Sequence, residues 1–529
     1  MSEPVLLVLG LAAAVAFAIV SKRFSLPYPI VFVLAGTALA FVPGLPPVRI
    51  APEWIFLSIL PPLLFSGGWS TDLTLFRGNL RSILLLAVGL VVLSTVVVAL
   101  VAHRIVPELT WPAAFVLGAI VSPPDAVAAI ATFERFAVPR RIVAVLEGEG
   151  LVNDATALVI YRFAVVAAVA GGFSLAGAAG AFVIVALGGI AVGVAVEWCV
   201  ERLARALNRF ELSDSLIDNL IIIGTPYAAY LGGEALHVSG VLATVVAGTL
   251  LGRRSPVVYS PETRLVGENV WALWIYVINA YVFLAIGLQL RGFVQSADAR
   301  ALLPAALAIS ALLIVVRIGW VYFANWLPRA LFPRLRERDP FPPWQNVALV
   351  AWTGMRGIVS LAAALALPLT AANSAPFPGR DAIVFITFVV IFVTLVGQGL
   401  SLIPLVRWLR LGRDEGDGDA REIEVRVAAL EAGVRKIDEL GARELTREER
   451  EVLERLRDEY VHRIEHLRSH ATGAGEDETP ASRFDHEAQT AALHAERRAI
   501  RELRDGGEIP DDIFRKVQYD LDLAETRLF

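Results

Sequence analysis

"IVSPPDAVAA", residues 120–129, sets two consecutive prolines inside a run that is otherwise apolar enough to cross a bilayer. A mid-helix proline removes a backbone donor and collides with the preceding turn, so a helix over 112–132 breaks at Pro123 and Pro124. The break exposes carbonyl oxygens, that of Pro124 among them, beside Asp125. Unwound backbone at membrane depth is tolerated only where protein buries it or where it lines a water-filled cavity. A second interruption stands at "WTGMRGIVS" (352–360), where Gly354 and Gly357 flank Arg356. Two broken helices in corresponding halves are the best sequence pointer to a secondary transporter's midplane site.

Outward from these breaks, hydropathy predicts about thirteen spans of the length a bilayer needs. They run over 4–20, 27–45, 53–67, 82–102, 112–132, 143–170, 175–200, 215–236, 237–252, 267–290, 301–326, 344–370 and 382–406. The N-terminus lacks a basic n-region and a small-residue cleavage site, so 4–20 reads as a first span and not as a removable signal. Nineteen basic residues fall in loops that would share one side and five in loops of the other, while Arg162, Arg317 and Arg356 fall within spans. The positive-inside rule then places the N-terminus outside and the C-terminal tail in the cytoplasm. "VFVLAGTALA" (31–40) and "ATVVAGTLLG" (243–252) agree at five of ten positions. They lie seven spans apart, an odd offset that predicts two inverted repeats.

The chain is 529 residues long, 56% hydrophobic and 19% charged, with a formal net charge of −5. That charge averages two unlike parts. Residues 1–410 hold 27 basic and 21 acidic residues, and 411–529 hold 20 and 31. The expected organisation is an all-α polytopic membrane domain over 1–410 and a soluble, charge-rich helical tail over 411–529. One cysteine, Cys199, excludes an intrachain disulfide and a cysteine-rich metal site. The basic residues belong to loops and give no reason to expect nucleic acid.

Four charged groups lie at membrane depth: Asp125, Glu149, Asp154 and Arg356. Each costs about 2.5–3.5 kcal/mol on insertion scales and is functional by default. Asp125, beside freed carbonyls, suits a hard cation, though an aspartate next to proline is also a helix cap. Asp154, next to Asn153, lies five residues beyond Glu149, which turns the two carboxylates roughly 140° apart on one helix. They are therefore expected to do different work. Desolvation favours the protonated form of a carboxylate and an arriving cation favours the ionised form. Competition between proton and cation at Asp154 is sufficient for antiport. Glu149 and Arg356 offer opposite charges on the two candidate site helices and are expected to form a structural ion pair. Arg317 snorkels or pairs with another carboxylate. Glu234 and His237 lie at a predicted outer turn, and Tyr276 and Asn279 face an unassigned direction.

With those residues in hand, the membrane part resembles monovalent cation:proton antiporters of the sodium/proton exchanger type. The similarity is most specific at "SPPDAVAA" (122–129), "EGEGLVNDATALVIY" (147–161), "HVSGVLATVVAGTLLG" (237–252) and "GMRGIVSLAAALALP" (354–368). The resemblance implies inverted repeats with crossed broken helices and a homodimer. It makes Asp154 the ion- and proton-binding aspartate with Asn153 as its partner, Asp125 the acidic residue of the broken helix, and Glu149 with Arg356 the stabilising pair. Asparagine at 153, where electrogenic relatives carry a second aspartate, implies electroneutral one-for-one exchange. Two positions depart from the family pattern: Gly150 stands where many members have serine, and Ser66 where many have glutamate. Ser66, Ser122 and Thr156 are candidate accessory oxygens. The expectation is therefore a Na+, Li+ or K+/H+ antiporter of the cell membrane, with Na+ foremost, no cofactor and no enzymatic activity. The alternatives are a K+-selective antiporter regulated by its tail and a cation channel. An intramembrane aspartyl protease would need a Gly-x-Gly-Asp motif, which no predicted span contains.

In the tail, Ile423, Val427, Leu430, Val434 and Ile437 mark an amphipathic helix that ends at Gly441. Thr446 with Glu449 predicts a capping box for the next helix. Residues 471–482 read as a linker, with helices over 484–505 and 511–527 after it. The bland reading is a helical bundle or a dimer contact. The sharper one is a regulatory module, in which His462, His466, His470, His486 and His494 could sense pH, while His462, His466 and His470 share a helical face that could hold a metal.

Overall fold

The computed structural model describes residues 15–24, 26–42, 55–133, 136, 138–170, 175–294, 299–371, 375–410, 415–443, 445–471 and 480–506, and a few residues between 510 and 522. Among them the chain is helical apart from short connections and one isolated bridge between Thr370 and Pro376. It divides into two compact units, Met1–Gly412 and Arg413–Phe529.

The first unit is built from α1 (Tyr28–Ala40), α2 (Leu60–Ser70), α3 (Leu80–Ile105), α4 (Trp111–Val121), α5 (Val127–Phe133), α6 (Arg140–Ala170) and α7 (Leu175–Arg209). There follow α8 (Ser215–Ala235), α9 (Gly240–Val258), α10 (Pro261–Val294), α11 (Ala299–Leu331), α12 (Trp344–Trp352), α13 (Ile358–Leu365) and α14 (Arg380–Leu409). Seven of the described helices are long and apolar enough to cross a membrane, and three shorter apolar ones accompany them. Both expected breaks are present: residues 122–126 separate α4 from α5, and residues 353–357 separate α12 from α13. The run 215–252 divides into α8 and α9 at the short turn 236–239. Most of the predicted first span, residues 4–14, lies outside the described residues.

The helices sort into two bundles. In one, α10 packs on α1, α9 on α2, and α7 and α8 on α9. Small residues let these backbones approach. A Cβ on Gly248 would lie 2.5 Å from the Phe65 carbonyl oxygen, and one on Gly36 would lie 3.1 Å from the Gly287 Cα. In the other bundle, α4 packs on α3 and α6, and α11 packs on α12 and α14. The interrupted helices α4–α5 and α12–α13 meet inside this second bundle, while α2 and α10 of the first face them across a cavity.

One connection of the second bundle carries an ionic hub. Asp339, between α11 and α12, bonds Arg81 at 3.0 Å, Arg141 at 2.8 Å and Arg329 at 2.7 Å. Burial pushes the Asp339 carboxyl up, but the Arg141 hydrogen bond and the charges of Arg141, Arg329 and Arg81 outweigh it and hold the group below its ordinary 3.8.

The second unit contains α15 (Glu415–Gly441), α16 (Arg447–Ala471) and α17 (Pro480–Asp505). α15 ends where Gly441 predicts, and α16 opens with the expected capping box. The Thr446 N–H donates to Glu449 Oε2 at 2.8 Å and the Glu449 N–H donates to Thr446 Oγ1 at 3.3 Å. α15 and α16 pack together, with the Tyr460 ring against Gly433. Residues 472–479 of the predicted linker, most of the predicted helix 511–527, and the His466, His470 and His486 side chains lie outside the described residues.

Candidate functional site

The site is assembled from the two interruptions. Pro123 and Pro124 cannot continue the hydrogen-bond ladder of α4, and the residues around Gly354 and Gly357 leave α12. Each loose segment satisfies the other. The Asp125 N–H donates to the Met355 carbonyl at 2.6 Å, and Arg356 Nε donates to the Val121 carbonyl at 3.0 Å. The Arg356 N–H donates to Thr394 Oγ1 at 3.1 Å, on a π-helical turn of α14 that is the sort of helix irregularity found at functional sites. A Cβ on Gly357 would lie 2.6 Å from the Asp125 Cγ, so only glycine admits this approach.

Asp125 is a helix cap that also reaches the cavity. Its Oδ1 accepts the Val127 N–H at 2.9 Å and so caps the start of α5, and it also lines the cavity. The Pro124 carbonyl is engaged by a side chain: Asn153 Nδ2 donates to it at 2.7 Å. Asn153 is fully buried, and its Oδ1 has no hydrogen-bond partner among the described residues. This bond ties α6 to the break and fixes where Asp154, the next residue, emerges. The Asp154 carboxylate has no hydrogen bond or ion pair among the described residues and faces the same cavity as Asp125.

The cavity has a volume of about 390 Å³ and lies between the two bundles. Asp125, Asp154 and Glu147 supply its carboxylates. Ser66, Ser70, Asn279, Ser360 and Tyr28 supply neutral polar groups, and among the described residues no arginine, lysine or histidine lines it. A largely apolar cavity whose charged groups are carboxylates and whose neutral polar groups are hydroxyls and an amide is chemically suited to a hard cation.

Glu149, on another face of α6, is in the opposite situation. The structure pairs it with Arg317 and not with Arg356, which corrects the expected pairing. Arg317 Nη1 and Nη2 donate to its two oxygens at 2.6 and 2.9 Å, and neither residue is more than 2% exposed. Arg317 also donates to the Val350 carbonyl on α12. The reason is the backbone break. Arg356 is drawn to carbonyls at the interruption, those of Val121 and Gly354, where a cation complements the free C-terminal end of α4. Arg317 on the intact α11 is left to meet the glutamate.

Two accessory candidates are not brought to the cavity. Ser122 Oγ donates to the Ala119 carbonyl at 3.2 Å and accepts from Thr95 Oγ1. Thr156, two residues past Asp154 and thus about 200° around α6, bonds the Val152 carbonyl at 3.0 Å and borders an apolar groove. Ser66 does line the cavity. Glu234, expected in a solvated turn, is held by Arg162 at 2.6 and 2.8 Å, which joins α6 to α8. Sequence reasoning missed Glu147, Ser360, Tyr28 and the direction of Asn279. Only Glu147 carried a signal, because seven residues before Asp154 is the same helical face. Among the described residues no group of three His, Cys, Asp or Glu side chains could hold a metal ion.

Comparison with known proteins places the chain in a family and a fold. Residues 10–408 match the family model described as sodium/hydrogen exchanger, transmembrane. A protein named as an uncharacterized Na+/H+ exchanger in Mycobacterium tuberculosis is 33% identical, covering 99% of this chain and 96% of its own length. A Bacillus subtilis protein named as a sodium, potassium, lithium and rubidium/H+ antiporter is 33% identical over 74% of this chain and 60% of its own. Among solved structures, the sodium proton antiporter MjNhaP1 of Methanocaldococcus jannaschii shares the fold with a TM-score of 0.55. It has 17% identity and covers 76% of this chain and 100% of that one.

Proposed function

The chain belongs to the sodium/hydrogen exchanger family of monovalent cation:proton antiporters, and we propose that it exchanges Na+, or Li+ or K+, for H+ one for one at Asp154. One observation carries this reading: Asp154 and Asp125, with Glu147, face one cavity that no basic residue lines among the described residues, while Glu149 is neutralised by Arg317. A cation entering the cavity favours ionised Asp154 and expels its proton. A proton returning from the other side displaces the cation. Asn153 and the Pro124 carbonyl hold Asp154 in place, and Asp125 holds the two breaks together beside it.

Alternating access is read as a movement of one bundle against the other around this site. Thirteen spans in two inverted repeats fit the helix contacts. An offset of seven spans carries the contact between α1 and α10 onto the one between α9 and α2. The matching segments Ala35–Thr37 and Ala247–Thr249 each place a glycine in these contacts. The cavity reaches the C-terminal end of α2 and the N-terminal half of α6, the ends beside the arginine-rich loops. The positive-inside rule makes this an inward-facing state. The Arg162–Glu234 pair lies toward the other side, where it bridges the bundles. The N-terminus is then outside, the tail is cytoplasmic, and the protein resides in the cell membrane as a homodimer with the tail as its regulatory or contact module.

Reconstituted protein with a pH-sensitive dye inside the liposomes tests the reading. Under an imposed proton gradient, Na+, Li+, K+ and Rb+ are added in turn; Rb+ is included because the Bacillus subtilis relative is named for it. Wild type should give cation-driven proton movement, and Asp154→Asn should give none. Equal responses from both proteins would remove Asp154 from the mechanism. Ion flux without proton movement would favour a channel.

A further inference from the structure

Glu147 lies seven residues before Asp154 on α6. Both line the 390 Å³ cavity, with Gly150 between them. Seven residues return a helix to within about 20° of the same face and separate the two carboxylates by about 10 Å along the axis. Glu147 is thus nearer the end of the cavity that Ser70 of α2 also lines, the end beside the arginine-rich loops. Its carboxylate has no hydrogen bond or ion pair among the described residues. The contrast with Glu149, two residues on, is informative. A glutamate kept in this helix for structure has a bidentate arginine, and Glu147 has none. A carboxylate in the mouth of a cation chamber with no basic residue in its wall raises the local cation concentration there.

On the reading that Asp154 is the exchange site, we propose that Glu147 is a staging carboxylate of the inner mouth. It draws the hydrated cation from the cytoplasmic side and sets the apparent affinity from that side, while the proton–cation exchange stays at Asp154. Glu147 is a positioning residue, and removing its charge should act on the approach of the ion and not on the exchange step.

The test uses full-length protein in liposomes sorted by orientation, comparing wild type, Glu147→Gln and Glu147→Asp with Asp154→Asn as the control. For a charge about 10 Å away across a partly solvated path, Glu147→Gln should raise the apparent KM for Na+ presented on the cytoplasmic side by roughly threefold to tenfold. The maximal rate and the KM from the opposite side should stay within about twofold. Glu147→Asp should keep most of the wild-type affinity. Raising ionic strength with a bulky inert cation should narrow the gap between wild type and Glu147→Gln. An equal KM change on both sides, a fall in maximal rate at unchanged KM, or no change at all would overturn the assignment. Exchange surviving in Asp154→Asn would instead sink the site reading itself, and this one with it.

Discussion

Helix α6 carries two carboxylates five residues apart whose surroundings differ in every respect that matters. Glu149 is buried against a bidentate arginine and charge-neutral as a pair. Asp154 faces a cavity with other acids and, among the described residues, no basic side chain in its lining. A buried carboxylate with a fixed counter-ion has no reason to exchange its partner, because the arginine holds the place a cation would take. A carboxylate without one is left to choose between a proton and a metal ion. Intramembrane charge alone therefore does not distinguish the two carboxylates; a fixed counter-ion does.

The most damaging way to break the comparison is to strand Glu149. Arg317→Ala should lower stability by about 3–5 kcal/mol, because an unpaired charge is left buried. Glu149→Gln with Arg317→Met should recover most of that loss. Thermal unfolding followed by tryptophan fluorescence reads both, and Asp154→Asn should unfold no earlier than wild type. An Arg317→Ala protein as stable as wild type would erase the distinction between the two carboxylates.

A smaller effect is expected at Asp339, an ion-paired carboxylate outside the spans. Its proton affinity is lowered in the folded protein, so its contribution is fully present above its ordinary value and is lost as pH falls through the depressed one. Asp339→Asn should cost on the order of 1–2 kcal/mol at neutral pH and flatten the acid limb of the stability profile. An unchanged acid limb would show that the three arginines do not depend on it. The smallest effect lies in the tail, where Thr446→Ala should cost about 1 kcal/mol of local helix stability through loss of the cap. Hydrogen exchange over the first turn of α16 should rise in that variant, with the membrane unit unaffected.

Much of this was legible because the informative residues act locally. A proline pair in mid-run breaks the helix, whereas Pro61 and Pro62 are tolerated in the first turn of α2, so residues 120–129 foretold the interruption and the freed backbone beside Asp125. The Thr446–Glu449 cap spans three residues and was equally plain. The partner of Glu149 was not legible. Arg317 and Arg356 are both distant in sequence and both fall in spans, and the choice depends on which guanidinium the broken backbone captures. Ser122 and Thr156 are not brought to the cavity, and in each the hydroxyl bonds a carbonyl of its own helix or turn. Glu147 was overlooked although its seven-residue spacing placed it on the face of Asp154. Charged ends also hid the full length of α10, whose predicted span 267–290 covers only part of Pro261–Val294.

The most direct test is to ask whether cation binding itself releases a proton from Asp154. Purified protein in weakly buffered detergent solution near neutral pH, with a pH indicator, is titrated with Na+ and compared with Asp154→Asn. Wild type should release protons saturably as Na+ binds, and the variant should release none. Equal release from both proteins, or Na+ binding by wild type without release, would contradict competition at this carboxylate.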